Sequence, residues 1–216
     1  LEKRSEELAW LESVDTGKPI SLARTLDIPR AVQNFRFFAS SLQTLQSECH
    51  PMDGALNYTL WQPLGVVGLI TPWNLPLYLL SWKAAPALAM GNTVVAKPSE
   101  LTPLTANALA EIFVELAPAG IFNIVQGRGE TVGAALVRHR DVRAISFTGG
   151  TQTGRQVSAL AGIKKLSLEL GGKNPSVVFA SAQLEDAVEG TARAAFLNQG
   201  EICLCGSRIF MQRYLY

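Results

Sequence analysis

Residue types that serve many metal and disulfide proteins are scarce in this sequence. Its 216 residues include three cysteines and two histidines, His50 and His139. Cys203 and Cys205 are separated by one residue and Cys49 lies far upstream, so no ligand spacing typical of a zinc site is present. An odd number of cysteines disfavours a disulfide framework and is typical of a reducing compartment. We therefore expect a cytoplasmic protein without a metal site.

The charge balance and the apolar pattern argue against two classes of partner. Basic residues number 19 and acidic residues 18, giving a net charge of +1, and no basic block alternates with aromatic residues. Nucleic acid is therefore not an expected partner. The apolar runs are too short to span a bilayer and the first residues lack a signal-peptide pattern, so no membrane association is predicted. The sequence is nevertheless 48% hydrophobic, enough to build a large core.

From residue 64 onward, short apolar segments rich in β-branched residues alternate with helical patterns. Strands are predicted at 64–70, 92–96, 122–125, 143–147, 165–170, 176–179 and 208–212. Helices are predicted at 77–90, 102–117, 130–138, 151–160 and 184–197. This alternation is the signature of an α/β fold with an open, parallel, Rossmann-like sheet flanked by helices.

The residues before this alternation are predicted to be mainly helical. Leucines at helical spacing cover 1–14, Ser21 is a candidate N-cap of a short second helix, and 27–29 can start a third. Residues 49–54 have loop character, and 56–62 are predicted to be a strand.

Two residues predict where the later helices begin or are interrupted. Pro86 should kink or end its helix early, because proline lacks the backbone N–H and clashes with the preceding turn. Thr102 should cap the next helix, with Pro103 in its first position.

Polar or glycine-rich residues follow four of the predicted strands, where open α/β sheets bind ligands. These segments are 71–74, 97–100, 127–133 and 148–151. The last two each open a helix, whose N-terminal amides can face a phosphate. Lys97 could bridge a ribose hydroxyl or a phosphate. Glu100 could accept hydrogen bonds from ribose hydroxyls and would repel a 2′-phosphate, which favours NAD over NADP.

A thiol and a carboxylate are the strongest candidates for catalysis. Cys203 follows a glycine turn at Gly200, and Glu169 lies upstream between two leucines and before paired glycines. Covalent acyl chemistry needs such a nucleophile and base. Glu169 is predicted to be buried in an apolar strand, and unpaired buried carboxylates are costly and cluster at functional sites.

Each motif also has an ordinary structural interpretation. Residues 127–133 follow G-x-G-x-x-x-G, which differs from the dinucleotide fingerprint and alone predicts a strand-to-helix turn. Residues 171–174 lack the residues of a P-loop. A cysteine beside apolar residues more often serves packing, which is our interpretation of Cys49 and Cys205. Asn74 in isolation would be a turn residue.

Taken together, five motifs resemble the aldehyde dehydrogenase superfamily. They occur in the family's order and at its spacing along essentially the whole chain: P-W-N at 72–74, K-P-S-E at 97–100, F-T-G at 147–149, E-L-G-G-K at 169–173 and F-x-N-x-G-x-x-C at 196–203. Two further segments, D-I-P-R at 27–30 and N-Q-G-E-I-C-L-C at 198–205, resemble the muconic semialdehyde branch of that family.

The resemblance implies an enzyme that oxidises a small aldehyde, of the muconic semialdehyde type, to a carboxylic acid with NAD, through a cysteine thiohemiacetal and thioester. It implies Cys203 as nucleophile, Glu169 as general base and Asn74 as oxyanion donor. It implies substrate contacts by Arg30, on a carboxylate, and by Trp82. The NAD site would comprise Ile70, Thr71, Pro72, Trp73, Lys97, Ser99, Glu100, Gly129, Gly133, Phe147, Thr148, Gly149, Gly150, Thr153 and Leu170.

The resemblance also implies a domain organisation. Residues 1–169 would form the NAD-binding domain, with a bridging or oligomerisation strand near 56–63, and residues 170–216 would begin the catalytic domain. The complete enzyme would be a homodimer or homotetramer. The family's chain extends beyond both ends of this one, and the family usually has serine where Gly150 stands, which leaves a backbone amide alone to face the pyrophosphate.

Two other functions stay open at this point. A cysteine hydrolase would use the thiol without NAD, but it needs a histidine base and neither histidine lies in a suitable motif. A truncated, inactive dehydrogenase fragment could act as a binding or structural protein. Without the resemblance, Arg30 would be interpreted as a solvated residue or a partner of Asp27.

Overall fold

Helices form the first part of the chain in the computed structural model, which describes residues 1–215. A 3-10 turn (Glu2–Arg4) precedes α1 (Ser5–Thr16), and α2 (Ile20–Leu22) passes through a π-helical turn (Ala23–Asp27) into α3 (Ile28–Gln43). Gly17 ends α1 at φ +75°, a left-handed conformation that glycine adopts without a steric penalty. The N-cap predicted at Ser21 is wrong, because Pro19 holds that position and no side chain caps α2.

An antiparallel hairpin follows these helices. Strand β1 (Cys49–Met52) pairs with β2 (Ala55–Tyr58), and all residues of both strands are exposed. The loop predicted at 49–54 is therefore wrong for the residues of β1, and the strand predicted at 56–62 is shorter. The fully exposed β1 lacks the alternation of apolar and polar residues by which a half-buried strand is recognised.

The rest of the chain alternates between strands and helices. In order, the elements are β3 (Val66–Ile70), α4 (Pro76–Ala89), β4 (Thr93–Lys97), α5 (Leu104–Leu116), β5 (Phe122–Ile124), α6 (Ala134–Arg138), β6 (Val142–Thr148), α7 (Thr151–Ala161), β7 (Lys165–Glu169), β8 (Asn174–Val178), α8 (Leu184–Phe196) and β9 (Gly206–Met211). A π-helical turn (Gly129–Gly133) precedes α6, and a 3-10 turn (Leu197–Gly200) follows α8. None of the helices within residues 1–215 has both the length and the apolar character needed to cross a membrane.

Five parallel strands form the main sheet in the order β5-β4-β3-β6-β7. The predicted open parallel sheet flanked by helices is thus confirmed. The chain starts at the central strand β3, proceeds outward to β5, and then returns to β6 on the other side of β3. This reversal makes the carboxyl ends of β3 and β6 the place where an open sheet binds ligands. Strands β8 and β9 pair in parallel with each other and form a separate sheet.

Both faces of the main sheet are covered, because successive residues of a strand point to opposite sides. On one face, Leu69 packs with Leu8, Leu77, Leu80 and Leu109 from α1, α4 and α5. On the other, a second cluster packs α6 and α7 against the sheet through Ile70, Val137, Ile145, Phe147 and Val157. Each fully buried side chain of this size stabilises the fold by about 1.5–3 kcal/mol relative to an exposed one.

Two helix features differ from their predictions. Helix α4 continues through Pro86 to Ala89, so the predicted early end is wrong. Thr102 does not cap α5, because Pro103 occupies the N-cap position without a side-chain bond. The backbone N–H of Leu104 donates instead to Oδ2 of Asp15, 2.7 Å away, so a carboxylate at the end of α1 supplies the cap.

Candidate active site

Asn74 lies in the turn between β3 and α4, at the carboxyl end of the central strand. Its side-chain Nδ2 donates to the backbone carbonyl of Glu201, two residues before Cys203. An amide nitrogen carries two N–H groups, so a second donor is available for an oxygen atom of a bound molecule. The structure therefore brings the predicted oxyanion donor to the loop that carries the predicted nucleophile.

Cys203 is exposed and lies in the loop between the 3-10 turn and β9. The preceding residues Asn198, Gln199 and Gly200 have φ of +52°, +60° and +76°. Positive φ is uncommon for residues other than glycine, and such strain concentrates at functional sites. The strained run turns the chain sharply just before the thiol.

Two asparagines that the sequence analysis did not assign hold this loop. Asn198, which is 3% exposed, donates from Nδ2 to the backbone carbonyl of Asn74 at 3.1 Å. Asn174 donates from Nδ2 to the backbone carbonyl of Cys203 at 2.6 Å. Asn198 belongs to the motif at 196–203, but nothing in its local sequence indicates a long-range hydrogen bond.

Glu169 is the last residue of β7, and it is exposed. The burial predicted from its leucine neighbours is wrong, because β7 lies at the edge of the sheet and only one of its faces is covered. Leu168 and Leu170 pack against the cluster beneath α6 and α7. Glu169 points the other way, into a cavity of about 540 Å³ that Trp82 and Lys83 also line.

Lys83 is a buried cation that the sequence analysis missed. Its Nζ donates to Oγ of Ser146 at 2.8 Å. Burial lowers the pKa of Lys83 to about 8, and the nearby Glu169 carboxylate acts in the opposite direction. A lysine inside an apolar helix gives no local signal of such a role; only the sheet places it near Glu169.

A second cavity of about 510 Å³ opens between α6, α7 and the carboxyl ends of β3 and β6. Five of the predicted cofactor residues line it: Ile70, Gly129, Gly133, Phe147 and Thr153. A Cβ atom on Gly149 would lie 2.6 Å from Cζ of Phe147, so the ring leaves no room for a side chain there. No atom would lie within 4 Å of a Cβ on Gly150, so space does not require glycine at that position.

Lys97 and Glu100 form an ion pair beside this cavity. Lys97 is 2% exposed, and its Nζ donates to Oε2 of Glu100 at 2.9 Å and to the carbonyl of Pro98 at 2.8 Å. This hydrogen bond holds the pKa of Glu100 below its usual range. A Cβ on Gly133 would lie 3.7 Å from Cδ of Lys97, which places the lysine next to the cavity wall.

The other predicted cofactor residues have varied surroundings. The Oγ1 atoms of Thr71 and Thr148 are buried without a hydrogen-bond partner. Ser99 accepts at Oγ from the N–H of Leu101, which is a turn contact. Trp73 is exposed, Pro72 is half-buried, and Leu170 packs against Gly154 of α7.

Arg30 lies in the first turn of α3 and faces two aromatic rings of α4. Its guanidinium carbon is 5.6 Å from the ring centre of Tyr78 and 5.7 Å from that of Trp82. Such contacts attract a cation to the ring faces. Asp27 pairs with Lys18 at 2.9 Å, so pairing of Arg30 with Asp27 is not observed. Tyr78 was not predicted, although it lies one helical turn before Trp82.

No cluster of three or more metal-binding side chains occurs among residues 1–215.

Comparison with known proteins gives a match to one family model along the whole chain. Residues 1–216 match the model of the aldehyde dehydrogenase family. Human 2-aminomuconic semialdehyde dehydrogenase is 56% identical over 221 aligned residues, which cover 100% of this chain and 45% of the human protein. The 5-carboxymethyl-2-hydroxymuconate semialdehyde dehydrogenase of Escherichia coli is 50% identical over 100% of this chain and 47% of its own.

Solved structures agree with these relatives. An NAD⁺ complex of an aldehyde dehydrogenase from Bacillus cereus superimposes with a TM-score of 0.97 at 42% identity, covering 100% of this chain and 45% of that one. The chain thus spans less than half the length of the proteins it matches. The resemblance stated from its motifs is confirmed: the chain belongs to the aldehyde dehydrogenase family.

Proposed function

We propose that the protein carrying this segment oxidises an aldehyde to a carboxylic acid, with NAD as the hydride acceptor and Cys203 as the nucleophile. The observation that carries the proposal is the pair of hydrogen bonds between the Asn74 turn and the Cys203 loop, Asn74 to Glu201 and Asn198 to Asn74. These bonds join the turn that carries an amide donor to the loop that carries a thiol, and addition to a carbonyl group uses both kinds of group.

In the first stage, the Cys203 thiolate adds to the aldehyde carbon, and the carbonyl oxygen becomes an oxyanion. The free N–H of Asn74 and the backbone N–H of Cys203 donate to that oxygen. NAD, held by the residues around the 510 Å³ cavity, would supply the acceptor for the hydride that leaves the former aldehyde carbon, so that the carbon attached to Cys203 becomes a thioester. Removal of one such donor typically costs about 10²–10³ in rate.

In the second stage, Glu169 removes a proton from a water molecule, which attacks the thioester and releases the acid. Exposure at the sheet edge suits this role, because the base must reach water.

The surroundings of the 510 Å³ cavity fit a dinucleotide. Helix α7 starts directly after Gly149 and Gly150, so its N-terminal amides can face a pyrophosphate. Glu100, held as a carboxylate by Lys97, can accept from ribose hydroxyls and would repel a 2′-phosphate. Thr71 and Thr148 keep buried hydroxyls without partners at the strand ends, and these can serve a ligand.

For the substrate, we propose a small unsaturated semialdehyde acid. The curated relatives described above act, by their names, on muconic semialdehydes. In this chain, the guanidinium group of Arg30 has five N–H donors and lies over the rings of Tyr78 and Trp82. These contacts hold the guanidinium group in place. A planar guanidinium suits bidentate contact with a carboxylate.

We further propose the domain division at residue 169 and an oligomeric, cytoplasmic enzyme. The separate pairing of β8 with β9 supports a boundary after β7. Exposure of the β1–β2 hairpin supports a bridging role, since an isolated two-stranded hairpin is marginally stable and gains from a partner surface. The predicted bridging segment near 56–63 would then include β2, and the assembly would be a homodimer or homotetramer.

The test uses the full-length protein, meaning a protein of the relatives' length that carries this segment. NADH absorbance is followed with a carboxylated semialdehyde and NAD. Cys203→Ala should abolish turnover and leave NAD binding intact, whereas Cys205→Ala, two residues away, should remain active. Turnover without NAD would indicate a hydrolase, and loss of activity in Cys205→Ala alone would assign the nucleophile to the other thiol.

A further inference from the structure

A buried cluster of three charged residues lies behind the Asn74 turn. Glu12 of α1, Lys18 of the following loop and Asp27 of the π-helical turn are each at most 1% exposed. Lys18 Nζ lies 2.9 Å from Oδ2 of Asp27 and 3.9 Å from Oε1 of Glu12.

A buried cluster of charged residues adds little by itself to the stability of a fold. Desolvation of buried ions can exceed their mutual attraction, and apolar residues of similar volume often serve a fold as well or better. Two oxygens in the cluster, Oε1 of Glu12 and Oδ1 of Asp27, have no hydrogen-bond partner. The arrangement therefore invites an explanation beyond packing.

The cluster is connected directly to the turn that carries Asn74. Lys18 Nζ donates to the backbone carbonyl of Asn74 at 3.2 Å. Oε2 of Glu12 accepts from the N–H of Leu77, in the first turn of α4, at 3.3 Å. The carbonyl of Asn74 also accepts from Asn198. The Asn74 carbonyl thus accepts from two donors, one from the buried cluster and one from the Cys203 loop.

We propose that Lys18 is a positioning residue for the oxyanion donor: its ammonium group, held by Asp27 and Glu12, fixes the Asn74 backbone so that the side-chain amide points at the carbonyl oxygen bound to Cys203. The inference rests on the proposed function. An ammonium group suits the task because it carries several donors and can bind the Asn74 carbonyl and Oδ2 of Asp27 at once, with the Glu12 carboxylate close by. Displacement of a reacting group by about 1 Å can cost roughly a hundredfold in rate.

The test in the full-length protein is the double variant Lys18→Met/Asp27→Asn, which removes the contact without leaving Asp27 as a buried carboxylate that has lost its ion-pair partner. Asp27→Asn alone is the matched control, because the asparagine side-chain oxygen can still accept from Lys18 and leave its bond to the Asn74 carbonyl in place. The rate of the pre-steady-state NADH burst should fall about 10- to 100-fold in the double variant and less than threefold in the control. The effect should appear in the burst rate at saturating aldehyde, with the Kd for NAD nearly unchanged.

A double-mutant cycle separates positioning from a general loss of structure. In an Asn74→Ala background, Lys18→Met/Asp27→Asn should slow the residual burst less than twofold, because the group that it positions is gone. Equal losses in both backgrounds would mean that Lys18 acts on the fold alone and would overturn the proposal. Should the Met variant not fold, Lys18→Gln/Asp27→Asn takes its place in the same cycle, with the same two outcomes.

Failure of this inference can be told apart from failure of the proposed function. If Cys203→Ala abolishes turnover and Asn74→Ala lowers it strongly while the burst of Lys18→Met/Asp27→Asn is unchanged, only the role of Lys18 is refuted. If Cys203→Ala retains full turnover, the thioester mechanism itself is refuted, and the role of Lys18 is refuted with it.

Discussion

Replacement of Arg30 by alanine in the full-length protein should weaken the reaction of carboxylated semialdehydes selectively. The guanidinium group lies over Tyr78 and Trp82, which hold it by its face and leave its N–H groups for another partner. Arg30→Ala removes these donors but keeps both rings. A neutral aldehyde of similar size should lose nothing from this change beyond a small packing effect.

The magnitude follows from the type of bond that is lost. A hydrogen bond to a charged group contributes about 1.5–3 kcal/mol, and each 1.36 kcal/mol corresponds to about tenfold in rate. We therefore expect kcat/KM for the carboxylated substrate to fall roughly 10- to 100-fold. The loss should be found mainly in KM, because the carboxylate contact is the same in the ground state and the transition state.

The assay compares steady-state kinetics of both substrates across three variants. Arg30→Lys should give an intermediate loss, since lysine keeps the charge but lacks the planar pair of donors. Tyr78→Phe, which keeps the ring beneath Arg30, is the matched control and should resemble the unmodified protein. Equal losses of Arg30→Ala for the charged and the neutral aldehyde would show that Arg30 only supports the fold.

Three further predictions concern the base, the buried cluster and the helix cap. Glu169→Gln should release one burst of NADH and then stall, because the base is needed for thioester hydrolysis; an unchanged steady-state rate would remove Glu169 from the mechanism. Burial raises the pKa of Glu12 to about 7, so the folded state binds the proton of this carboxyl group more tightly than the unfolded state does. The stability that this difference provides is complete below about pH 4.5 and is lost as the pH rises through 7. Urea unfolding should therefore show Glu12→Gln gaining stability over the unmodified protein across this window, by at most about 3 kcal/mol, and a pH-independent difference would contradict the assignment. Asp15→Ala should lower the free energy of unfolding by about 1 kcal/mol and Thr102→Ala by much less. A larger loss for Thr102→Ala than for Asp15→Ala would show that Thr102 caps α5.

The central sheet was predictable because its signal is local. Strands buried on both faces appear in the sequence as short apolar runs such as 66–70, and their alternation with helices leaves few topologies. The errors concern features that depend on distant residues. The cap of α5 comes from Asp15, and β1 is a strand only because it pairs with β2.

The candidate site was predictable only in part. The motifs supplied the residue types, and the resemblance to the family supplied their roles. Physical reasoning from the sequence alone would have left Asn74 as a turn residue and Glu169 as a buried carboxylate. Lys18, Lys83 and Asn198 carry no local signal, because each acts on residues that only the tertiary structure brings near.

The surroundings of the thiol explain why so few contacts decide the geometry of the site. Strands β8 and β9, which flank the Cys203 loop in sequence, do not pair with the main sheet. No strand pairing therefore links the thiol to the turn after β3. The link consists of side-chain amides, Asn74 on Glu201 and Asn198 on Asn74, supported by three consecutive residues with positive φ. Each amide group bonds to a backbone carbonyl and not to another side chain, so the contacts constrain the loop and the turn as backbone units. Because the Asn74 carbonyl is shared by Asn198 and Lys18, a change in the buried cluster should be transmitted to the thiol loop through a single peptide group.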